Sequence, residues 1–198
     1  MKKTLIVATH NAHKTGEIRT MLGQLFERIV DLSEYPEFEP PIEDGDTFAE
    51  NSAIKALAVS RKMLEAFVLS DDSGLEVDAL GGAPGIYSAR YAGEAATDAD
   101  NREKLLHELG ETPKRTGRFR CVVSVANGGV VLKQFDGTIE GHITQEVSGD
   151  GGFGYDPVFI PEGEEQTFAE LPAEVKNSMS HRGRAIEQFR EWLVSEIS

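Results

Sequence analysis

An α/β fold built on a mixed sheet is the architecture this sequence predicts, and three observations predict it. Through roughly the first half of the chain, short apolar runs alternate with stretches of helical periodicity. Residues 117–147 then switch to strand-like alternation punctuated by turn dipeptides. The chain ends on an amphipathic stretch with Ile186, Phe189, Leu193 and Ile197 on one helical face. Alternating strands and helices call for parallel pairing, hairpins for antiparallel pairing, and both in one chain imply a mixed sheet.

Each element has its own warrant. Residues 3–9 are apolar enough for a buried first strand. Residues 12–25 carry Ile18, Met21, Leu22 and Leu25 at helical spacing, with Asn11 as the cap. Residues 28–32 suggest a second strand. Residues 33–46 hold three prolines and six acidic residues and read as a long loop. Thr47-Phe48-Ala49-Glu50 has the spacing of a capping box and opens a helix to about residue 65. Ala66-Phe67-Val68-Leu69 reads as a short buried strand, and Ser70-Asp71-Asp72-Ser73-Gly74 as the turn after it. A glycine-rich turn at residues 81–85 precedes a short helix around Ile86–Tyr91, and Asp98 caps a helix ending at Gly110. Within 117–147, Asn127-Gly128 is a strong hairpin signal and Asp136-Gly137 a second turn, giving a three-stranded meander. Ser180 is the cap expected for a last helix over residues 182–197.

Composition narrows the function. The formal charge of −14 argues against nucleic acid or an anionic membrane as partner, since both need a basic surface. The single Cys121 rules out an internal disulfide and a multi-cysteine metal site. No apolar run approaches the ~18 residues of a membrane span. The N-terminal apolar run is too short for a signal-peptide core, so a cytoplasmic protein is expected.

Four segments carry chemistry-bearing residues. Thr9-His10-Asn11-Ala12-His13-Lys14 runs from a strand end into a helix, whose unpaired N–H groups and dipole suit a phosphate, with Lys14 adding charge. It is not a Walker loop, and His10 and His13 lack the further ligands a zinc site needs. Asn51 and Lys55 share a helix face; Lys55 either snorkels to solvent or serves as a second phosphate ligand. Gly149–Pro157 packs four glycines, Phe153 and Tyr155 into nine residues, so backbone can approach a ligand and an aromatic ring can stack on a base. Lys176, His181 and Arg182 bring basic groups to a helix start, where a bound anion would offset their clash with the dipole. Ahead of these stands the Asp71–Asp72 pair. Neighbouring side chains leave a strand in opposite directions, so one of the two carboxylates would face a given pocket and hold Mg²⁺ or orient a water.

These motifs, in this order and spacing, resemble the inosine triphosphate pyrophosphatase family, also called the Ham1-like or RdgB-like purine-nucleotide pyrophosphatases. The resemblance rests on Thr9-x-Asn11-x-x-Lys14, Asp71-Asp72-Ser73-Gly74-Leu75, Leu80 to Tyr91, Gly151 to Phe159 and Ser180-His181-Arg182-Gly183. His10 stands where many members have a small or polar residue. The resemblance implies an elongated mixed sheet with flanking helices, a single domain over 1–198 with two lobes around a central cleft, and a homodimer. It implies hydrolysis of ITP, dITP, XTP and dXTP to the monophosphate and pyrophosphate, which removes deaminated purines from the nucleotide pool, with Mg²⁺ as cofactor. Thr9, Asn11, Lys14 and Lys55 would then hold the phosphates, with His10 a substrate-binding residue beside that loop. Glu43 and Asp72 would hold Mg²⁺, Asp72 would also accept the proton of the attacking water, and Ser73 would contact substrate. Phe153, Gly154, Tyr155, Asp156, Lys176, His181 and Arg182 would line the nucleoside pocket. Two other readings use the same segments: a nucleotide sensor without turnover, which would not need Glu43 and Asp72 together, and a pyrophosphatase for modified pyrimidine nucleotides.

Overall fold

The computed structural model describes residues 4–197, without the side chain of Ile197, so Lys3 and that part of the last helical face lie outside the described residues. The strands are β1 (Thr4–Val7), β2 (Arg28–Asp31), β3 (Phe67–Val77), β4 (Thr116–Asn127), β5 (Val130–Ile143) and β6 (Phe159–Pro161). The helices are α1 (Ala12–Leu22), α2 (Phe48–Ser60), α3 (Asp98–Leu109), α4 (Ala173–Met179) and α5 (His181–Ile197). The strands form one sheet in the order β2-β1-β3-β4-β5-β6. β1 pairs in parallel with β2 and with β3, whereas β5 and β6 are antiparallel, so the sheet is mixed as expected. No helix among the described residues is long and apolar enough to cross a membrane.

The chain divides into two compact units. The first comprises residues 1–72, 121–137 and 182–198, the second residues 73–120 and 138–181. The first has two apolar clusters. One joins Leu5, Ile18, Leu22, Leu69, Val123 and Phe135 to Ile186, Phe189 and Leu193; the other gathers Ile6, Val30, Phe38, Val59 and Val68. The second unit has its own core, with Leu75, Leu105, Leu109, Phe119, Ile143, Phe159 and Phe168. Each unit therefore buries apolar surface of its own, the dominant favourable term in folding.

Two caps stand where the sequence predicts them. Asn11 accepts from the N–H groups of His13 and Lys14, and Thr47 with Glu50 completes a capping box at α2. The expectation that Asp98 caps α3 is corrected: the cap is Thr97, paired reciprocally with Asp100, and Asp98 is the first helical residue.

Three further expectations are corrected. Residues 70–74, made of turn-forming types, continue β3 without a turn. Sheet pairing and hydrogen bonding override the local preference: Ser70 is fully buried and donates through its hydroxyl to Ser52 O at 2.6 Å. Asp136-Gly137 is likewise not a turn, because β5 runs through it, and the meander becomes a single long hairpin. Residues 173–179 form α4 where a loop was expected; Ser180 ends α4, its N–H donating to Lys176 O, and its extended backbone turns the chain into α5.

Candidate active site

In the first unit the charged residues gather around the two aspartates of β3. β1 delivers Thr9 to the loop before α1. Thr9 Oγ1 accepts from Asn11 N at 3.1 Å, and Asn11 Oδ1 accepts from the first-turn amides, so both side chains shape the loop itself. His10 is exposed at its tip. One turn into α1, Lys14 Nζ lies 3.2 Å from Asp71 Oδ2. Arg182, at the start of α5 and 1% exposed, donates to the same oxygen through Nε and Nη2 at 3.1 and 2.8 Å, while its Nη1 reaches Glu17 Oε2 at 2.6 Å. Asp71 is thus a buried carboxylate between two cations.

Asp72 faces a different set. Lys55 Nζ, from α2, lies 2.6 Å from Asp72 Oδ1 and 3.0 Å from Glu43 Oε2. One ammonium is shared by two carboxylates, one from the acidic loop and one from the sheet. Lys55 does not simply snorkel: the carboxylates hold it. Its helix is fixed to β3 by the Ser52–Ser70 hydrogen bonds one turn earlier.

The two neighbours therefore differ in acidity. Burial alone would raise the Asp71 carboxyl, but the charges of Lys14, Arg182 and Lys55 outweigh it and hold Asp71 well below the usual carboxylate range. Burial pushes Asp72 above that range, helped by the nearby Glu43 charge and opposed by Lys55. The two adjacent carboxylates thus sit in unlike electrostatic environments.

A divalent cation fits this donor set. Glu43 and Asp72 offer carboxylate oxygens that already converge on a single positive charge. Mg²⁺ is commonly bound by one or two carboxylates, completing its shell with substrate phosphates and water. Among the described residues no group of three or more His, Cys, Asp or Glu side chains is arranged to cage a metal.

The second unit carries the other expected residues. Asp156 is the hinge of the glycine-rich loop. Its Oδ2 accepts from Phe153 N at 2.8 Å and from Lys176 Nζ at 2.6 Å. A Cβ at Gly152 would stand 2.1 Å from that oxygen, and Gly152 adopts φ +69, so only glycine fits there. Lys176 is buried, its ammonium 4.9 Å from the Phe153 ring centroid and 5.9 Å from that of Phe168. Phe153 is half-buried, whereas Tyr155 packs in the core and donates its hydroxyl to Ser88 O at 2.8 Å. Of the two loop aromatics, Phe153 is the one placed to stack. The His181 ring is buried and stacks on Phe119, with centroids 4.7 Å apart. Ser73 is half-buried on β3.

The structure thus brings together Lys14 with Arg182, Glu43 with Lys55 and Asp72, and Phe153 with Asp156 and Lys176. It parts the consecutive residues His181 and Arg182: the imidazole belongs with Phe119, the guanidinium with Asp71 and Glu17. The sequence reading did not single out Glu17. Its signal was its place three residues after Lys14 on the same helix face.

The Ham1 family profile matches residues 5–192. The dITP/XTP pyrophosphatase of Desulforamulus reducens is 48% identical over 191 residues, 96% of this chain and 94% of that protein. That of Halalkalibacterium halodurans is 47% identical over 96% of this chain and 99% of its own length. Among solved structures, the Ham1 protein of Staphylococcus aureus superposes with a TM-score of 0.86 at 40% identity, covering 98% of this chain and all of that one. The HAM1 protein of Coxiella burnetii does so with 0.87 at 36% identity and the same coverage.

Proposed function

The chain belongs to the Ham1 family, and from that premise we propose that it hydrolyses non-standard purine nucleoside triphosphates, ITP, dITP, XTP and dXTP, to the monophosphate and pyrophosphate. The observation that carries the reading is the division between Asp71 and Asp72: a buried carboxylate paired with Lys14 and Arg182 beside one that shares the Lys55 ammonium with Glu43 and is placed to serve as a general base. Relatives of near-equal length named dITP/XTP pyrophosphatase support the substrate class.

In this reading the α1 N-terminus, Lys14 and Lys55 take the charge of the phosphates, and Asp72 accepts the proton of the water that attacks the α-phosphorus. Asp71 holds Lys14 and Arg182 in place. Glu43 and Asp72 would hold Mg²⁺, which supplies charge neutralisation on the triphosphate when bound. Lys176, held by Asp156, donates to the 6-oxo group of the base, where adenine would present a donor of its own, and Phe153 supplies the stacking face. The same reading includes a homodimer working on the cytoplasmic nucleotide pool.

The test is product analysis with ITP, XTP, ATP and GTP in the presence and absence of Mg²⁺. Pyrophosphate and monophosphate from ITP and XTP, with ATP and GTP much poorer, is the expected result. Orthophosphate with inosine diphosphate would mean attack at the γ-phosphorus and defeat it. Light scattering behind size exclusion tests the dimer.

A further inference from the structure

Gly154 is held at both of its backbone groups by one helix. Its N–H donates to Asp98 Oδ2 at 2.7 Å, and its carbonyl accepts from Arg102 Nη1 at 2.6 Å. Asp98 and Arg102 are four residues apart, on one face of α3. Gly154 has φ +58 and nothing stands within 4 Å of where a Cβ would be. Its N–H belongs to the peptide that follows Phe153, whose own N–H is taken by Asp156. The peptide groups on both sides of Phe153 are therefore tied to carboxylates, one within the loop and one on α3.

α3 does not depend on this contact. Its N-terminus is closed by the Thr97–Asp100 capping box, Leu105 and Leu109 are in the core, and Asn101 braces the segment before it through Ala89 O and Ala92 N. Hydrogen bonds with one ionised partner are about twice as strong as neutral ones, and both bonds to Gly154 are of that kind.

We propose that Asp98 and Arg102 are positioning residues that clamp Gly154 through the Phe153–Gly154 and Gly154–Tyr155 peptides and so set the pose of the Phe153 ring for the purine base. The proposal rests on the assignment of the Phe153 loop to the base. It explains why an open, left-handed glycine can carry a stacking residue: the clamp removes freedom that would otherwise be lost on binding.

The experiment compares Asp98→Ala, Arg102→Met, their double variant, Asp98→Asn, Arg102→Lys and Phe153→Ala in the full chain. The readouts are KM and kcat for ITP and ATP, and calorimetric binding of a non-hydrolysable ITP analogue. Asp98→Ala and Arg102→Met are expected to raise KM for ITP and weaken analogue binding by about five- to tenfold, with kcat within about twofold. The double variant should fall short of the product of the two, since both act on one residue. Asp98→Asn retains an acceptor and Arg102→Lys a donor, so both should recover most of the affinity. If Phe153→Ala raises KM while neither clamp variant does, or if the conservative variants are as impaired as the truncations, the clamp is overturned and the base assignment stands. If Phe153→Ala leaves KM unchanged, the base assignment fails and takes the clamp with it.

Discussion

Among the described residues, the first unit's site interleaves seven charges; the second unit's is built around the buried pair of Lys176 and Asp156. In the first, Lys14, Lys55 and Arg182 are shared among Glu17, Glu43, Asp71 and Asp72, so most of these groups have more than one partner or a partner with two. In the second, Lys176 and Asp156 form a buried pair with aromatic rings around the ammonium. The difference matches what each would bind. A triphosphate with its metal brings several charges, and a network can re-pair around them without leaving a buried ion alone. A purine base brings none, and its recognition needs one donor in a fixed frame.

The contrast is most sharply tested inside the first site. Asp71→Asn should lower stability by about 3 kcal/mol, because it leaves the buried Arg182 and the half-buried Lys14 without their shared carboxylate. Urea denaturation reads this directly. Turnover should fall less than in Asp72→Asn; the opposite ranking would exchange the roles of the two aspartates. The gap in stability between wild type and Asp71→Asn also has a pH signature. A depressed carboxylate contributes its stability above the unfolded value of about 3.9 and loses it as pH falls below that, towards the folded value. The gap should therefore be full at neutral pH and close below about pH 4.

Asp72→Asn should cost at least about 10²-fold in kcat, the lower end for a positioned base, with a melting temperature near that of wild type. A normal kcat would remove Asp72 from the reaction. In the second unit, Lys176→Met should lower kcat/KM for ITP by about tenfold, the effect of one lost donor to a buried acceptor, and narrow the preference over ATP. An equal loss on both nucleotides would place Lys176 on the phosphates and erase the distinction between the sites. Arg182 sharpens the same distinction from the other side. Its guanidinium belongs to Asp71 and Glu17, so Arg182→Ala should destabilise the protein as Asp71→Asn does, whatever it adds to base recognition; unchanged urea stability would count against that pairing.

Local chemistry made much of this legible in the sequence. Asn11 and the Thr47–Glu50 box set helix starts because a cap involves residues only two or three apart. The Asn127-Gly128 turn follows from backbone conformations that favour those residue types. The opposite directions of Asp71 and Asp72 follow from strand geometry, which holds although they lie within β3 and not on a turn. The motif set was enough to identify the family. Tertiary structure alone decided which charge meets which. Residues 70–74 have turn propensity, and only sheet pairing with the Ser52–Ser70 bonds makes them strand. Arg182 lies 111 residues from Asp71, and Lys55 stands 17 residues from Asp72. His181 and Arg182 are neighbours in sequence, yet one stacks on Phe119 and the other caps Asp71. Pairings of this kind depend on burial and on the geometry of distant elements, which raise or lower an acid's proton affinity only once the chain has folded around it.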